Sequence, residues 1–333
     1  LTIHRYQLDD PDRAIYKLND HLRLKSFKTM FSKPMSSNKQ PIESIQLLAP
    51  AKLNLFLHIT GRREDGYHQI QTVFQMLNYG DQMKFEMAPA GNISLHVEQH
   101  QDFHSAEAVP LHNNLVIQAA DALAARLAEG SLSAKGSPGA RITLQKRIPM
   151  GAGLGGGSSD AAITLVALNK LWSMNLGLDE LCEIGGKLGA DVPVFIRGKS
   201  AWGEGIGDQL QPLELGHCWY LVITPPCAVA TSKIFSNEHL TRNSPAIKIA
   251  AFLAAGTRND CESVTRKLYP EVDEALNWLG QITEARMTGT GSSIFARFAE
   301  KAEAEKVLSN LPTNLKGFVA EGIDSLEHSS WPA

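Results

Sequence analysis

Residues 149–160 read PMGAGLGGGSSD, and this segment decides which folds the chain can adopt. Five of the seven residues from 151 to 157 are glycines, so backbone N–H groups can approach an anion without side chains in the way. Ser158, Ser159 and Asp160 are expected to cap a helix that continues through the apolar residues 161–168. Because free N–H groups and the helix dipole both favour negative charge, the segment predicts a phosphate-binding loop.

Other interpretations of this segment are weaker. A Walker loop needs a lysine followed by serine or threonine, and residues 149–160 contain no lysine. The dinucleotide pattern G-x-G-x-x-G is present at Gly151, Gly153 and Gly156. However, residues 178–188 have helical spacing, whereas the dinucleotide fold requires a strand there. A flexible linker would not be flanked by a strand and a helix, so a nucleotide-dependent oxidoreductase stays the main alternative.

The composition is that of a globular protein that handles small molecules. The 333 residues are enough for two domains of ordinary size, with 43% hydrophobic and 20% charged residues. The net charge of −3 gives no support to a nucleic-acid partner, and no apolar run is long enough to cross a membrane. We expect a cytoplasmic protein without nucleic-acid or membrane partners, present as a monomer or a weak homodimer.

The cysteines and histidines give little support to a metal site. The four cysteines stand far apart without a C-x-x-C pair, which is typical of reduced core residues. His96, His100 and His104 have four-residue spacing, but residues 93–98 alternate like a strand rather than a helix. We therefore expect neither a disulfide framework nor a zinc site.

The order of the predicted elements divides the chain into three parts. Residues 1–40 are expected to be an N-terminal extension without a catalytic role, with Met30 and Met35 as alternative starts. Residues 41–205 are expected to form the phosphate-binding domain, and residues 206–328 a second domain. Strands and helices are mixed in an order that indicates an α+β fold rather than a doubly wound parallel sheet.

Two charged positions have both a structural and a functional interpretation. Residues 50–59 alternate like a strand that places Lys52 and Asn54 together on the face away from the core, where an exposed strand surface is the commoner outcome. Asp191 is expected between the end of a helix and a short buried strand at 192–196. It is either a turn residue or a general base at the mouth of a cleft, and the residues alone leave both open.

Three further segments are potential parts of a site. Residues 287–293 form a second glycine-rich turn, which could close over bound phosphates from the second domain. Tyr67 and His68 follow a charged turn and are either surface residues or residues that grip a base by stacking and hydrogen bonding. Asn114 is expected to cap a helix over residues 115–128.

Taken together, these segments resemble the GHMP kinase superfamily, whose namesakes are galactokinase, homoserine kinase, mevalonate kinase and phosphomevalonate kinase. The strand motif, the P-x-G-x-G-L-G-G-G-S-S loop and the T-G-x-G turn occur in the order of that superfamily. Three stretches are similar to one branch, the bacterial kinases of 4-diphosphocytidyl-2-C-methyl-D-erythritol, and the likeness extends over residues 44–322. These stretches are residues 49–81, GADVPVF at 189–195 and RMTGTGSSIFA at 286–296.

This resemblance implies a two-domain α+β GHMP kinase fold, with a ribosomal protein S5 domain 2-like N-terminal domain and a ferredoxin-like C-terminal domain. It implies ATP-dependent phosphorylation of the 2-hydroxyl of 4-diphosphocytidyl-2-C-methyl-D-erythritol, in the non-mevalonate pathway to isoprenoid precursors. ATP with Mg²⁺ would be the co-substrate, without a tightly bound cofactor. The alternatives are another GHMP-type small-molecule kinase and the oxidoreductase of the dinucleotide pattern.

The resemblance also implies roles for individual residues. Asp191 would be the general base and Lys52 its charged partner. The substrate would contact Asn54, Tyr67, His68, Thr231 and Phe235, with its cytosine between Tyr67 and Phe235. Asn114 and Lys146 would lie near the ATP base and sugar, and the Mg²⁺ ligands stay open beyond a choice between Ser158 and Ser159. The ATP phosphates would lie along Pro149, Met150, Gly151, Ala152, Gly153, Leu154, Gly155, Gly156, Gly157, Ser158 and Ser159.

Overall fold

The computed structural model describes residues 43–100, 113–129, 138–255 and 257–330. The predicted extension 1–40 and His104 lie outside the described residues. Within the described ranges the chain mixes helices with strands, which confirms the α+β fold class.

The strands form one mixed sheet in which the longest of the described strands has four partner strands. Among the described residues the strands are β1 (Ser44–Arg62), β2 (His68–Ala88), β3 (Ile93–Gln99), β4 (Gly139–Lys146), β5 (Ala201–Glu204), β6 (Gln209–Pro212), β7 (Cys218–Thr224), β8 (Arg286–Met287), β9 (Ile294–Phe298) and β10 (Lys316–Ile323). The main path runs β3-β4-β2-β10-β7-β9-β8, and β1 and β5 also pair with β2. Only β3 and β4 run parallel among these described pairs, so the sheet is not a doubly wound parallel one.

Most helices pack on this sheet in two groups that follow the chain. In the described residues they are α1 (Leu115–Glu129), α2 (Gly156–Leu171), α3 (Leu178–Leu188), α4 (Val192–Arg197), α5 (Thr231–Ser236), α6 (Ile249–Ala255), α7 (Glu262–Leu268), α8 (Pro270–Gly280) and α9 (Lys301–Leu308), with a 3-10 turn at Glu327–Ser330. One apolar cluster joins α1 to α4 with β1, β2 and β4, and another joins α7 to α9 with β7 and β9. The predicted boundary between residues 205 and 206 stays a prediction.

Strand β1 belongs to all three apolar clusters of the described chain. Ile45 and Leu47 pack in the cluster of α1 to α4, Leu53 in a central cluster, and Leu57 and Ile59 in the cluster of α7 to α9. Strand β1 therefore runs along the border between the two helix groups, and its side chains lie at that border.

The sequence prediction was wrong about residues 192–196. They belong to helix α4 and not to a strand, and all five are buried. A short, fully buried apolar run has no periodicity that separates a strand from a helix. Pro193 stands in the first turn of α4, where its fixed φ suits a helix and its missing N–H is not needed, and Gly198 ends the helix at φ 62°. Asp191 is therefore the N-cap residue of a helix.

The prediction of the cap of α2 was also wrong. Helix α2 begins at Gly156, and its N-cap residue is Gly155 in the left-handed region, at φ 75° and ψ 16°, without a side-chain cap. Ser158, Ser159 and Asp160 lie inside the helix. Since no side chain caps this helix, its first N–H groups remain available to an external anion.

Other expectations agree with the structure. The predicted strand of residues 45–59 lies within β1, and α3 has the bounds 178–188 that its spacing indicated. The Asn114 Oδ1 accepts a hydrogen bond from the Val116 N–H at 2.9 Å, which confirms Asn114 as the cap of α1.

Two further findings concern membrane-spanning helices and disulfide bonds. Among the described residues, no helix combines the length and the apolar character that crossing a bilayer requires. The four cysteines are free thiols.

Replacement of Gly155 by alanine is expected to lower the free energy of unfolding by about 1–3 kcal/mol. At φ 75° a side chain is strained, and its Cβ would lie 2.9 Å from Phe195 Cζ and 3.1 Å from Lys52 Cε. Gly157→Ala is the matched control, because its Cβ would meet only Leu115 Cδ1, at 3.6 Å. Urea unfolding of both variants measures the difference, and equal stabilities would contradict the prediction.

Candidate active site

A cavity of about 610 Å³ lies where the glycine-rich loop meets β1, α4 and α5. The predicted phosphate loop forms one wall, with residues 149–158 all contributing. The other residues that line it and that the sequence had singled out are Lys52, Asn54, Asn114, Lys146, Asp191, Thr231 and Phe235. The structure thus brings together residues that are far apart in the chain, such as Lys52 and Phe235, which are 183 positions apart.

The predicted catalytic pair meets at this cavity. The Lys52 Nζ lies 3.2 Å from the Asp191 Oδ2, and the side chains are 5% and 31% exposed. The Lys52 ammonium also donates a hydrogen bond to the Asn54 Oδ1, and the Asn54 Nδ2 donates to the Thr72 Oγ1 at 2.9 Å. Since Thr72 in turn donates to the Phe56 carbonyl at 2.5 Å, the amide oxygen of Asn54 is held towards Lys52. These contacts hold the Lys52 ammonium next to Asp191.

Lys52 and Asn54 do share one face of β1, but that face is not exposed. The two residues are only 4% and 3% exposed. The Lys52 N–H donates to the Leu154 carbonyl at 3.0 Å, and the Asn54 N–H donates to the Thr288 Oγ1 at 2.8 Å. Both glycine-rich loops therefore cover β1, which overturns the interpretation of this face as a solvated surface.

The second glycine-rich turn packs directly on the first. The Ser293 N–H donates to the Ala152 carbonyl at 3.0 Å, and a Cβ on Gly153 would lie 2.5 Å from the Thr288 carbonyl oxygen. Gly289 and Thr290 line the cavity together with the first loop. The contact needs backbone without side chains, which is the physical reason for glycine at 153.

A buried charge cluster lies behind the phosphate loop. The Lys146 ammonium donates to the Asp81 carboxylate and to the Asp160 Oδ2, the latter at 2.8 Å. Asp81 also accepts the backbone N–H of Arg147 at 2.5 Å and that of Ile148 at 2.8 Å. Asp81 thereby fixes the backbone that leads into the loop, and sequence reasoning missed this role because it depends on residues 65 positions apart.

The cluster contains one ammonium, of Lys146, and two carboxyl groups, of Asp81 and Asp160, so two ionised carboxylates would outnumber the positive charge. Burial, opposed by the Lys146 ammonium and reinforced by the Asp81 charge, raises the pKa of the Asp160 carboxyl to about 8. Burial lowers the pKa of Lys146, but the carboxylates of Asp160 and Asp81 outweigh it and leave this pKa raised. At neutral pH Lys146 is therefore charged and Asp160 holds a proton for most of the time.

The residues predicted for ATP therefore differ in their surroundings. Lys146 lines the cavity but shares its ammonium with two carboxylates, and the Asn114 side-chain oxygen is used by the cap of α1. Ser158 lines the cavity, whereas Ser159 is completely buried and its Oγ has no hydrogen-bond partner among the residues that the structure describes. Their roles towards ATP stay predictions.

The residues predicted for the cytidyl substrate do not all line the cavity. Asn54, Thr231 and Phe235 do, and the Thr231 Oγ1 lies 3.1 Å from the Thr290 Oγ1. His68 packs behind Phe235, with ring centroids 5.0 Å apart and planes at 27°. Tyr67 is 60% exposed and lies outside the cavity lining. The cytosine sandwich between Tyr67 and Phe235 stays a prediction.

Comparison with known proteins decides the family. The model "GHMP kinases N terminal domain" matches residues 114–199, and "GHMP kinases C terminal" matches residues 240–317. The 4-diphosphocytidyl-2-C-methyl-D-erythritol kinase of Marinobacter nauticus is 50% identical over 286 residues, which cover 84% of this chain and 94% of that protein. The chain belongs to the 4-diphosphocytidyl-2-C-methyl-D-erythritol kinase family.

Further relatives agree with this assignment to the 4-diphosphocytidyl-2-C-methyl-D-erythritol kinases. The kinase of the same name from Pseudomonas aeruginosa is 49% identical over 279 residues, covering 84% of this chain and 94% of that protein. A crystal structure of 4-(cytidine 5'-diphospho)-2C-methyl-D-erythritol kinase matches with a TM-score of 0.68 and 31% identity, over 84% of this chain and 99% of the other. The chain is a small-molecule kinase with the two-domain GHMP fold, and the oxidoreductase alternative is set aside.

The protonated carboxyl of Asp160 predicts a pH-dependent stability. Between about pH 4 and about pH 8 the folded state holds a proton that the unfolded state has released, so the free energy of unfolding falls as the pH rises. The slope from this one group is at most about 1.4 kcal/mol per pH unit. Asp160→Asn, which mimics the neutral carboxyl, is expected to remove it.

Urea unfolding of the wild type and of Asp160→Asn at several pH values measures this effect. The stability of the wild type relative to the variant should decline steadily with rising pH, because contributions from other groups cancel in the difference. A difference that is constant over this range would show that Asp160 is ionised in the folded state.

Proposed function

We propose that this kinase transfers the γ-phosphoryl group of ATP to the 2-hydroxyl of 4-diphosphocytidyl-2-C-methyl-D-erythritol, giving the 2-phosphate and ADP. This is a step in the supply of isoprenoid precursors. The observation that carries the chemistry is the Lys52–Asp191 pair, 3.2 Å apart, at the edge of a cavity walled by a glycine-rich loop. The choice of acceptor is supported by the 50% identity to a kinase named for it.

The phosphates of ATP are proposed to lie along residues 149–158. Free N–H groups of the loop and of the first turn of α2 can donate to phosphate oxygens, and the dipole of α2 adds positive potential at the same end. The loop itself contains no lysine. The cationic contribution therefore comes from Lys52 on β1 and Lys146 on β4, two strands that both pair with β2, and both side chains line the same cavity.

Asp191 is proposed as the general base. A base positioned at the reacting hydroxyl contributes typically about 10²- to 10⁴-fold to the rate. A carboxylate is a weak base, so it accepts the proton as the bond from oxygen to phosphorus forms rather than beforehand. Asp191 lies at the N-terminus of α4 and lines the cavity, with the Lys52 ammonium beside it.

Lys52 is proposed to stabilise the negative charge that develops on the acceptor oxygen and on the transferred group. Its burial makes this electrostatic interaction stronger than it would be in water, and Asn54 keeps the ammonium in place so that little reorganisation is needed. Asn54 thereby has a role in orientation in addition to its proposed contact with the substrate.

The donor set at the cavity fits Mg²⁺ bound together with ATP. Mg²⁺ prefers oxygen ligands, keeps several waters and is usually held by one or two protein groups plus phosphates. Ser158 and Asp191 provide oxygens on the cavity wall, and the described residues contain no cluster of three or more His, Cys, Asp or Glu side chains for a metal ion. We propose Ser158 rather than the buried Ser159 as the serine ligand. Bound Mg²⁺ would neutralise phosphate charge.

The remaining assignments are proposed on the same basis. Asn114 and Lys146 are proposed near the base and sugar of ATP, and Thr231, Phe235 and His68 near the cytidyl group. A cytoplasmic location and a monomeric or weakly dimeric state stay predictions.

Asp191→Asn is expected to reduce kcat by about 10²- to 10⁴-fold while ATP binding changes little, since the substitution removes the base but keeps the size of the side chain. ADP release with the cytidyl substrate measures the activity, and calorimetric titration measures ATP binding. Asp179→Asn is the control: it removes a carboxylate that is 91% exposed on α3, and it should leave kcat unchanged. Full turnover in Asp191→Asn would refute the base assignment.

The choice of acceptor needs a separate measurement. ADP release by the wild type is compared for the cytidyl substrate, galactose, homoserine and mevalonate. Turnover of one of the other three in preference to the cytidyl substrate would refute the proposed acceptor without affecting the assignment of a kinase.

A further inference from the structure

A guanidinium group braces the cavity wall that contains Phe235. Arg242 lies after α5, is half-buried, and donates from Nη2 to the carbonyl of Phe235 at 2.9 Å and to that of Asn237 at 2.7 Å. Its Nη1 donates to the Leu240 carbonyl at 3.2 Å. Its Nε donates to the Nε2 of His68 at 3.1 Å. One side chain therefore connects the segment around α5 to the first residue of β2.

These contacts fix the imidazole of His68 on two sides. The face of the ring packs on Phe235, with centroids 5.0 Å apart and planes at 27°, and one edge is held by Arg242. Phe235 itself lines the cavity. Because the guanidinium holds both the backbone of Phe235 and the ring of His68, the two aromatic groups keep their relative positions.

The contact with Arg242 also determines the protonation of His68. A guanidinium is a donor only and does not lose its proton in proteins, so the Nε2 of His68 must accept. The ring is then neutral with its proton on Nδ1. Burial lowers the pKa of His68, and the charges of Arg242 and of Arg62, on β1, lower it further. His68 therefore presents Nδ1–H as its single donor.

We propose that Arg242 is a positioning residue of the base subsite, which holds His68 next to Phe235 as a hydrogen-bond donor and so favours a base that presents a ring acceptor. Cytosine presents an unprotonated ring nitrogen where uracil presents an N–H group. A fixed donor pairs with the first and opposes the second. The identity of the base rests on the proposed function, whereas the state of His68 does not.

Arg242→Gln is the test variant, and Arg266→Gln is the matched control. Arg266 is also part-buried and hydrogen-bonded, but its partners Asp273 and Asn277 lie on α8 and not in the cavity wall. In Arg242→Gln the KM for the cytidyl substrate should rise about 10-fold or more, because a charge-assisted contact is lost. The values of kcat and of the KM for ATP should change by less than about twofold. The preference for the cytidyl substrate over its uridyl analogue should fall, and Arg266→Gln should change none of these values.

Nitrogen-15 NMR of His68 provides a readout that a merely structural role would not move. In the wild type, Nδ1 should carry the proton, and the pKa of His68 should lie below 6.5. In Arg242→Gln, the Nε2–H form should become populated, and the pKa should move towards the ordinary value. Arg242→Lys keeps the positive charge and a donor group, although not the fork of the guanidinium. It should therefore keep His68 neutral and give an intermediate KM for the cytidyl substrate. Arg242→Lys also serves as the test variant if Arg242→Gln does not fold.

Two results would overturn the proposal. One is an unchanged tautomer of His68 together with an unchanged KM for the cytidyl substrate in the Arg242 variants. The other is a fall of kcat and a rise of both KM values in parallel with a loss of thermal stability, which indicates a general structural role. A wild type that does not turn over the cytidyl substrate would refute the proposed function, and the NMR readout would still decide whether Arg242 controls His68.

Discussion

The rest of the site depends on a buried ammonium that lies under a backbone without side chains. Lys52 is almost fully buried, and its Nζ contacts Asn54 on one side and Asp191 on the other. A Cβ on Gly155 would lie 3.1 Å from the Lys52 Cε, so the lysine and the glycine constrain each other. A buried charge is tolerated only where it is paired and hydrogen-bonded, and here its partners are groups that the proposed chemistry needs.

A second buried charge cluster supports the same loop from behind. Asp81 binds the backbone at residues 147 and 148 and, with Asp160, holds the ammonium of Lys146. Loss of one charged partner from this cluster would destabilise the fold, because the remaining charge would be left uncompensated in the interior. Because one of its carboxyls is protonated, the cluster would repel phosphates at the proposed ATP position less than two carboxylates would. The loop can therefore do without a lysine of its own.

The cavity wall at Phe235 is built differently, from three segments that are not continuous in the chain. His68 begins β2, Phe235 lies in α5, and Arg242 follows in an irregular segment. Motif reasoning identified the two aromatic residues from a resemblance. It gave no signal for Arg242, because an isolated arginine in a polar stretch has no spacing or pattern that points to a partner 174 positions away. The glycine-rich loop could be predicted because it depends on local backbone geometry, whereas the wall around Phe235 depends on packing.

The sequence by itself determined the α+β class, the family and the two residues that form the Lys52–Asp191 pair, and it predicted a glycine-rich phosphate loop. These properties follow from local composition and from long, specific motifs, which survive without knowledge of the contacts. The tertiary structure decided that residues 192–196 are a helix, that Gly155 and not a serine is the cap of α2, and that the face of Lys52 is buried. It also decided the partners of Lys146 and His68. Each of these depends on what lies against a residue in space, because burial and long-range hydrogen bonds override local preference, and a linear pattern contains no record of them.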